Sequence, residues 1–194
     1  MLSEKFKNHQ FLLASKSPRR QELLKVIIPE FSVVEVECDE NYPPELRGSA
    51  ITDFIAQSKS AAYHKLKPNE ILITADTIVW FQDNLYGKPK NKEDAFRILT
   101  DLSGQMHEVF SSMVIKSVNY NVRFSERTEV YFDEILPEEI NFYLDQFQPF
   151  DKAGSYGIQD WLGCAKISGI KGDFYNVMGL PLRKLYRVLS SEEF

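Results

Sequence analysis

The sequence contains few cysteines and fewer basic than acidic residues. Its only two cysteines, Cys38 and Cys164, are far apart and match no metal-ligand pattern, so we expect a reduced, cytoplasmic setting. Lys and Arg number 23 against 28 Asp and Glu, which gives a formal net charge of −5. This charge argues against general nucleic-acid affinity, since that affinity depends on many cations against phosphates. It still allows a small polyphosphate ligand, because a divalent metal can bridge carboxylates and phosphate oxygens.

Long apolar runs are also missing. No stretch approaches the roughly 20 apolar residues that a membrane-spanning helix needs, so we expect no membrane association. The first ten residues, MLSEKFKNHQ, are polar and lack the apolar segment of a signal peptide.

Several familiar catalytic and phosphate-binding motifs do not occur. The chain has no GxxxxGK[ST], GxGxxG or GxSxG, so it lacks the usual phosphate cradles and the nucleophile elbow. The three histidines, His9, His64 and His107, show no zinc-like spacing, and HExxH is absent. We expect His107 to be a hydrogen-bonding residue at a strand edge rather than a general base.

What is present is an apolar content large enough for a substantial core. The 194 residues are 43% hydrophobic, which suggests one domain, or one domain with a small lobe. Strand-like and helix-like segments alternate along the chain, around an antiparallel middle section. Predicted strands cover 11–14, 31–36, 70–75, 78–82, 85–86, 107–118, 122–132 and 164–167, and predicted helices cover 18 to about 27, 49 to about 67, 92–102, 138–146 and 180–189.

The segment Leu12–Leu24 predicts a strand, a turn and a helix that begins with cations. Ser17 is a good N-cap and Pro18 a good first helical residue. Ser15 and Ser17, with Arg19 and Arg20, therefore lie near free backbone N–H groups and the positive end of the helix dipole, which together favour a bound phosphate or carboxylate. The alternative is an ordinary capped helix with two solvated arginines.

A second polar group follows the apolar segment Glu70–Ala75. Asp76 comes directly after it, and ligands of open α/β sheets gather beyond the carboxyl ends of strands. The alternative for Asp76 is a turn-capping residue. A hairpin around Asp83-Asn84 returns Lys88 towards Asp76. Lys59 lies at the edge of an apolar helix face, where a lysine usually extends into water, and reach towards a buried anion is the less favoured alternative.

These oxygens and cations suggest one kind of chemistry. Carboxylates without histidine or thiol suit Mg²⁺ or Mn²⁺, and the cations suit a polyphosphate. The residues support metal-assisted phosphoanhydride chemistry as a hypothesis. The acids are Asp39, Glu40 and Asp76, the cations are Arg19, Arg20, Lys59, Lys88 and Lys152, and the neutral polar groups are Ser15, Ser17, Thr77 and Gln159.

Six blocks in the sequence resemble the Maf family of nucleoside triphosphate pyrophosphatases, in that family's order and spacing. The blocks are LASKSPRRQELL at 13–24, TADTIV at 74–79, GKP at 87–89, LSGQMHEV at 102–109, DKAGSYGIQ at 151–159 and NVMGLPL at 176–182. The resemblance implies a Maf/ITPase-like α/β fold: a single domain over 1–194 with an elongated, curved, mixed sheet, flanking helices and a central cleft between two lobes. It also implies a homodimer and a divalent metal.

The implied enzyme is a hydrolase of acid anhydrides. In it, water attacks the α-phosphorus of a nucleoside triphosphate and releases pyrophosphate. Asp76 matches the family's catalytic acidic residue, a general base or metal ligand. Ser15, Arg20, Lys59, Lys88 and Gln159 fall on positions associated with the active site. Glu40 matches a metal-binding position, with Asp39 as the alternative, because the intervening strand varies in length.

Three positions resemble the branch of the family that acts on dTTP and UTP: Arg19, Thr77 and Gln159. A neutral Thr and a Gln amide suit the carbonyl and N–H edge of a pyrimidine. The SPWR and ADQ signatures of the branch that acts on 7-methyl-GTP are absent. Departures from the family pattern are Lys16, Ser111-Ser112 and Asp160-Trp161, and Trp161 adds bulk where a glycine is common.

Two other functions fit these residues less well than the enzyme does. A non-catalytic, nucleotide-binding regulator of cell division has no need to keep Asp76, Lys88 and Gln159 together. An RNA-binding module conflicts with the acidic balance and the lack of a basic stripe.

Overall fold

A computed structural model describes residues 2–191 of the chain. The strands are β1 (Gln10–Leu13), β2 (Phe31–Val33), β3 (Glu70–Phe81), β4 (Asn84–Tyr86), β5 (Met106–Lys116), β6 (Asn121–Phe132) and β7 (Ile167–Lys171). The helices are α1 (Leu2–Lys5), α2 (Pro18–Ile27), α3 (Ser49–Ala62), α4 (Lys92–Leu102), α5 (Pro137–Phe147), α6 (Trp161–Lys166), α7 (Phe174–Met178) and α8 (Leu182–Ser191), and a single 3₁₀ turn covers Ala153–Ser155.

The strands form one seven-stranded mixed sheet. Its order is β2-β1-β3-β5-β6-β7, and β4 pairs with β3 outside that path. Strand β1 runs parallel to both β2 and β3, whereas β4 is antiparallel to β3 and β7 is antiparallel to β6. The predicted class, a mixed α/β fold with helices flanking the sheet, is confirmed. That residues 1–194 form a single domain stays a prediction.

Contacts between Cα atoms divide the described chain into two compact units. The first unit comprises three segments: the chain up to Asp76, Ser111–Glu126, and the chain from Gly179 onward. The second unit takes Thr77–Phe110 and Arg127–Met178. In the first unit Leu12 and Leu72 of neighbouring strands form a small buried cluster with Ala14. In the second unit α4 and α5 contribute to a larger core that includes Leu99, Leu102, Ile140, Tyr143 and Leu162.

Several predicted elements are confirmed to the residue. Helix α2 begins at Pro18, and the Ser17 side chain accepts a hydrogen bond from the Arg20 N–H as its N-cap. Helix α4 has the predicted bounds, and Asn91 caps it by accepting from the Asp94 N–H. In both cases the capping signal is local, because a cap satisfies backbone donors one turn away.

The strand that carries Asp76 is longer than predicted. Strand β3 continues to Phe81, so Asp76 lies within the strand and not beyond its end. The hairpin turn is Gln82-Asp83, with φ of 48° and 60°, because Phe81 pairs with Asn84; the predicted Asp83-Asn84 turn is wrong. The strand passes through the polar residues Asp76 and Thr77 and ends in Val79–Phe81, which pair with β4.

Other boundaries also needed correction. Helix α3 has Gly48 as its N-cap, not Ser49, and it ends at Ala62, not near Lys67. The predicted strand at 164–167 is wrong, because Cys164 lies in α6 and the strand of this segment, β7, begins only at Ile167. Strand β7 forms by pairing with β6, which is a tertiary contact without a local sequence signal. Helix α1 was not predicted.

Candidate active site

The turn between β1 and α2 gathers hydroxyl groups at a helix start, as predicted. The Ser17 N–H donates to the Ser15 Oγ at 3.3 Å, and the Arg20 N–H donates to the Ser17 Oγ at 3.5 Å. Both serines are half-buried, as is Arg19. The first turn of a ten-residue helix therefore presents polar groups where its dipole favours an anion.

The Arg20 side chain links this helix start to the strand that carries Asp76. Its Nη1 donates to the Ala75 carbonyl at 3.0 Å, and its Nε donates to the Gly179 carbonyl at 2.9 Å. Burial lowers the pKa of Arg20, and the nearby Asp76 carboxylate opposes that shift. The guanidinium is thus held by backbone groups beside a carboxylate.

Lys59, on the last turn of α3, sits between two carboxylates. Its Nζ lies 2.9 Å from Asp76 Oδ1 and 2.8 Å from Glu40 Oε1. The Lys59 side chain is only 15% exposed, so the expectation that it extends into water is wrong and the reach to an anion is right. Burial opposes the charge of Lys59, but Asp76 and Glu40 outweigh burial and raise the pKa of its ammonium.

Asp76 is the most deeply placed carboxylate of this cluster. Its side chain is 12% exposed, against 63% for Glu40. Burial raises the pKa of Asp76 and outweighs the opposing effects of Lys59 and Arg20. A carboxyl group whose pKa is raised in a polar, cation-lined setting is a candidate for proton transfer.

Two buried hydroxyl contacts fix α3, and with it Lys59, against the sheet. The Thr74 Oγ1 of β3 donates to the Ala56 carbonyl at 2.7 Å. The Thr52 and Ser112 hydroxyls lie 2.6 Å apart between α3 and β5. Neither contact was predicted from the sequence, although hydroxyl residues inside apolar segments were a visible signal.

The structure distinguishes Glu40 from its sequence neighbour. Asp39 Oδ1 accepts a hydrogen bond from the Asn41 N–H at 2.9 Å and lies exposed in a local turn. Glu40 reaches Lys59 instead. Of the two alternatives, Glu40 is therefore the one that joins Asp76 around the same cation.

The first unit's carboxylates fit a hard divalent ion. The oxygens of Glu40 and Asp76 converge on one cationic nitrogen, and both are ligand types that Mg²⁺ and Mn²⁺ prefer. Within residues 2–191 no group of three or more His, Cys, Asp or Glu is arranged to hold a metal. Two carboxylates match the usual Mg²⁺ arrangement, in which substrate phosphates and water supply the other ligands.

The remaining predicted residues lie in the second unit. Lys88 is exposed after β4, and the Gly87 carbonyl accepts the Gly154 N–H at 3.1 Å, which joins the GKP segment to the DKAGSYGIQ segment. Lys152 pairs with Asp151 at 3.1 Å and Asp160 at 3.6 Å. Gln159 is exposed on a turn, and Thr77 is half-buried in β3.

His107 of the second unit differs from the sequence-based expectation, and Trp161 is one of the departures from the family pattern. His107 is buried, not at an edge, and its Nε2 lies 2.7 Å from the Tyr156 hydroxyl. Trp161 packs against the core and meets the Phe142 ring edge-on, with ring centres 5.2 Å apart. Trp161 is thus in contact with α5.

The fold and this cluster define a class: mixed α/β proteins with a carboxylate–lysine–arginine site beside a helix start. The comparison with family models identifies the particular family. The model described as "Maf-like protein" matches residues 10–192, and the chain belongs to that family.

Relatives resemble the chain over nearly its full length. A Parabacteroides distasonis protein named dTTP/UTP pyrophosphatase is 46% identical, covering 96% of this chain and 97% of its own. A Flavobacterium psychrophilum protein with the same name is 45% identical, covering 100% of both. A Flavobacterium johnsoniae protein with that name is 43% identical, covering 98% of this chain and 99% of its own.

Among solved structures, the Staphylococcus aureus Ham1 protein matches with a TM-score of 0.47 and 15% identity, covering 63% of this chain and 71% of its own. Within residues 2–191, every helix is too short or too polar to cross a membrane.

Proposed function

We propose that this protein is a nucleoside triphosphate pyrophosphatase that hydrolyses dTTP and UTP to the monophosphate and pyrophosphate. The observation that carries the proposal is the convergence of Asp76, Glu40, Lys59 and Arg20 in the first unit. Relatives named dTTP/UTP pyrophosphatase, at 43–46% identity, give the reaction and the substrate class.

The reaction forms one bond to phosphorus and breaks another. A water oxygen attacks the α-phosphorus, the bond from the α-phosphorus to the bridging oxygen breaks, and pyrophosphate leaves. Asp76 takes the proton of the attacking water or holds the metal, and its raised pKa suits proton transfer nearer neutrality. Arg20, Lys59 and Lys88 offset the negative charge that develops on the phosphate oxygens.

Substrate binding is assigned to groups that the sequence analysis singled out. Ser15, Ser17 and Arg19 bind phosphate oxygens at the start of α2. Thr77 and Gln159 face the base, where a hydroxyl and an amide pair with the carbonyl and N–H edge of uracil or thymine.

The proposed cofactor is Mg²⁺ or Mn²⁺, held by Glu40 and Asp76. When bound, it supplies positive charge to the phosphate oxygens and orients the triphosphate. The chain's own part is to present two carboxylate oxygens on either side of the Lys59 ammonium.

Two further properties are proposed from the family resemblance and the composition. We propose a homodimer, which light scattering on the purified protein would measure directly. We also propose a cytoplasmic location without nucleic-acid partners, in keeping with free Cys38 and Cys164 and a net charge of −5.

The test is a pyrophosphate-release panel over canonical and modified triphosphates, with and without Mg²⁺ or Mn²⁺. We expect the fastest metal-dependent release from dTTP and UTP. Asp76→Asn should lower kcat by at least about 100-fold, the usual contribution of a positioned acid or base. The matched control is Asp145→Asn, which removes an exposed carboxylate paired with Lys92.

One result would overturn the proposal. Wild-type protein that binds UTP but releases no pyrophosphate with either metal would instead favour a non-catalytic, nucleotide-binding regulator of division. Full turnover by Asp76→Asn would remove the assignment of Asp76 while leaving the reaction in place.

A further inference from the structure

Gln159 sits at the tip of a tight turn whose two ends are held by one buried side chain. The Asp160 N–H donates to the Gly157 carbonyl at 3.1 Å, which closes a four-residue turn with Gln159 at its third position. Ile158, the residue before Gln159, is 5% exposed, whereas Gln159 projects outward. The turn thus presents the exposed amide of Gln159 next to the buried side chain of Ile158.

The buried side chain is Tyr143 of α5. Its hydroxyl accepts the Gly157 N–H at 3.0 Å and donates to Asp160 Oδ2 at 2.9 Å. Tyr143 is fully buried. One hydroxyl therefore holds both the first and the last residue of the turn, and a rigid aromatic ring on a helix carries that hydroxyl.

The Asp160 carboxylate is engaged by the Tyr143 hydroxyl and does not cap the helix that follows it. Asp160 is the residue before α6, yet its side chain makes no capping hydrogen bond to that helix. It faces Tyr143 and lies 3.6 Å from Lys152. Aspartate is a favoured N-cap residue, but here its carboxylate accepts from the Tyr143 hydroxyl instead.

Steric fit restricts the same turn from two sides. A Cβ on Gly157 would lie 2.5 Å from Asp160 Oδ2, and a Cβ on Gly163 of α6 would overlap the Ile158 carbonyl. Position 163 therefore needs a glycine for the turn to pack this closely, whereas a side chain at position 157 would displace the Asp160 carboxylate. Hydrogen bonds and packing together leave the turn little freedom to move Gln159.

We propose that Tyr143 and Asp160 are positioning residues that fix the orientation of the Gln159 amide and thereby set discrimination among pyrimidine bases. The proposal rests on the proposed function, since it assigns the specificity of the same site. The discriminated feature is the ring edge where uracil and thymine present a carbonyl and an N–H, and where cytosine presents an amino group and a bare ring nitrogen. Neither Tyr143 nor Asp160 needs to touch substrate.

The experiment compares kcat/KM for UTP with that for CTP across a set of variants. Tyr143→Phe should lower the UTP:CTP ratio by about tenfold, mainly through a higher KM for UTP, because the turn loses one acceptor and one donor. Asp160→Ala should lower the ratio similarly, whereas Asp160→Asn should restore it, since the amide keeps an oxygen for the tyrosine hydroxyl. Tyr131→Phe, which removes a hydroxyl bonded to Glu129, is the matched control and should leave the ratio unchanged.

A double-variant comparison separates positioning from general stability. In a Gln159→Ala background, Tyr143→Phe should change the UTP:CTP ratio by less than about twofold, because the amide it positions is gone. If Tyr143→Phe fails to fold, Asp160→Ala carries the same test from a partly exposed site.

Each negative result has a distinct meaning. An active wild type whose ratio survives Tyr143→Phe or Asp160→Ala, or a ratio that falls equally with and without Gln159, overturns the positioning proposal alone. A wild type that releases no pyrophosphate from any triphosphate overturns the proposed function, and the positioning proposal falls with it.

Discussion

Replacing Lys59 with methionine tests whether the ion cluster is held together as the distances indicate. Methionine keeps an unbranched side chain of similar length but removes the ammonium that lies 2.9 Å from Asp76 and 2.8 Å from Glu40. Asp76, at 12% exposure, would lose the cation bonded to its Oδ1 while remaining poorly hydrated. Glu40, at 63% exposure, is well hydrated, so its charge costs little when the ammonium is removed.

The magnitude follows from the burial of Asp76. Removing one partner of a buried ion pair costs roughly 3–5 kcal/mol, whereas an exposed pair contributes about 1 kcal/mol or less. Arg20 stays near Asp76 and a little solvent reaches the pair, so we expect the lower end, about 3 kcal/mol at neutral pH. At about 2–4 °C per kcal/mol for a chain of this size, Tm should fall by about 6–12 °C.

The loss should depend on pH in one direction. Burial already raises the pKa of Asp76 in the folded protein, and removing Lys59 raises it further. A carboxyl group with a raised folded-state pKa binds its proton more tightly when folded, so its destabilising charge disappears as the pH falls through that pKa. The free-energy difference between wild type and Lys59→Met should therefore be smaller at about pH 4 than at about pH 7.

Urea unfolding at both pH values measures this difference. The double variant Lys59→Met/Asp76→Asn should recover much of the lost stability, because the unpaired charge is gone. Lys92→Met, which breaks an exposed pair with Asp145, is the matched control and should cost under about 1 kcal/mol. A Lys59→Met loss no larger than the control's, or equal at both pH values, would refute the reasoning.

Two further predictions concern the second unit. Burial lowers the pKa of His107 to about 3, so the unfolded chain takes up one more proton below the ordinary value of 6.5. As the pH is lowered from about 6.5 to about 3, His107 should decrease the free energy of unfolding by about 1.4 kcal/mol per pH unit. In acid titrations of stability, His107→Gln should make this decrease smaller. The control, His64→Gln at an exposed position, should not. Gly163→Ala should destabilise by roughly 1–3 kcal/mol in thermal melts, because its Cβ meets the Ile158 carbonyl; an unchanged Tm would contradict that packing.

Local chemistry explains what the sequence predicted well. Ser17 with Pro18, and Asn91 before α4, were assigned correctly because a cap and the donors that it satisfies lie within four residues. The anion-favouring start of α2 follows from the same local rule. The family resemblance is carried by contiguous blocks, and the match over residues 10–192 confirms it.

Pairing between strands explains the errors. Asp76 was expected beyond a strand's end, but pairing with β4 carries β3 on to Phe81. Strand β7 pairs with β6, and the sequence analysis predicted no strand over most of its length. Whether a segment forms a strand depends on the strand that lies beside it, and the sequence of the segment does not contain that information.

The sequence by itself determined the family, the mixed α/β class and the residue types that suit phosphate and metal, since these depend on local patterns and matched blocks. Only the tertiary structure decided that Lys59 turns inward to Asp76, that Glu40 and not Asp39 joins it, and that Tyr143 holds the Gln159 turn. These contacts join residues from 14 to 19 positions apart, and such pairings are selected by the packing of helices on strands rather than by any local propensity.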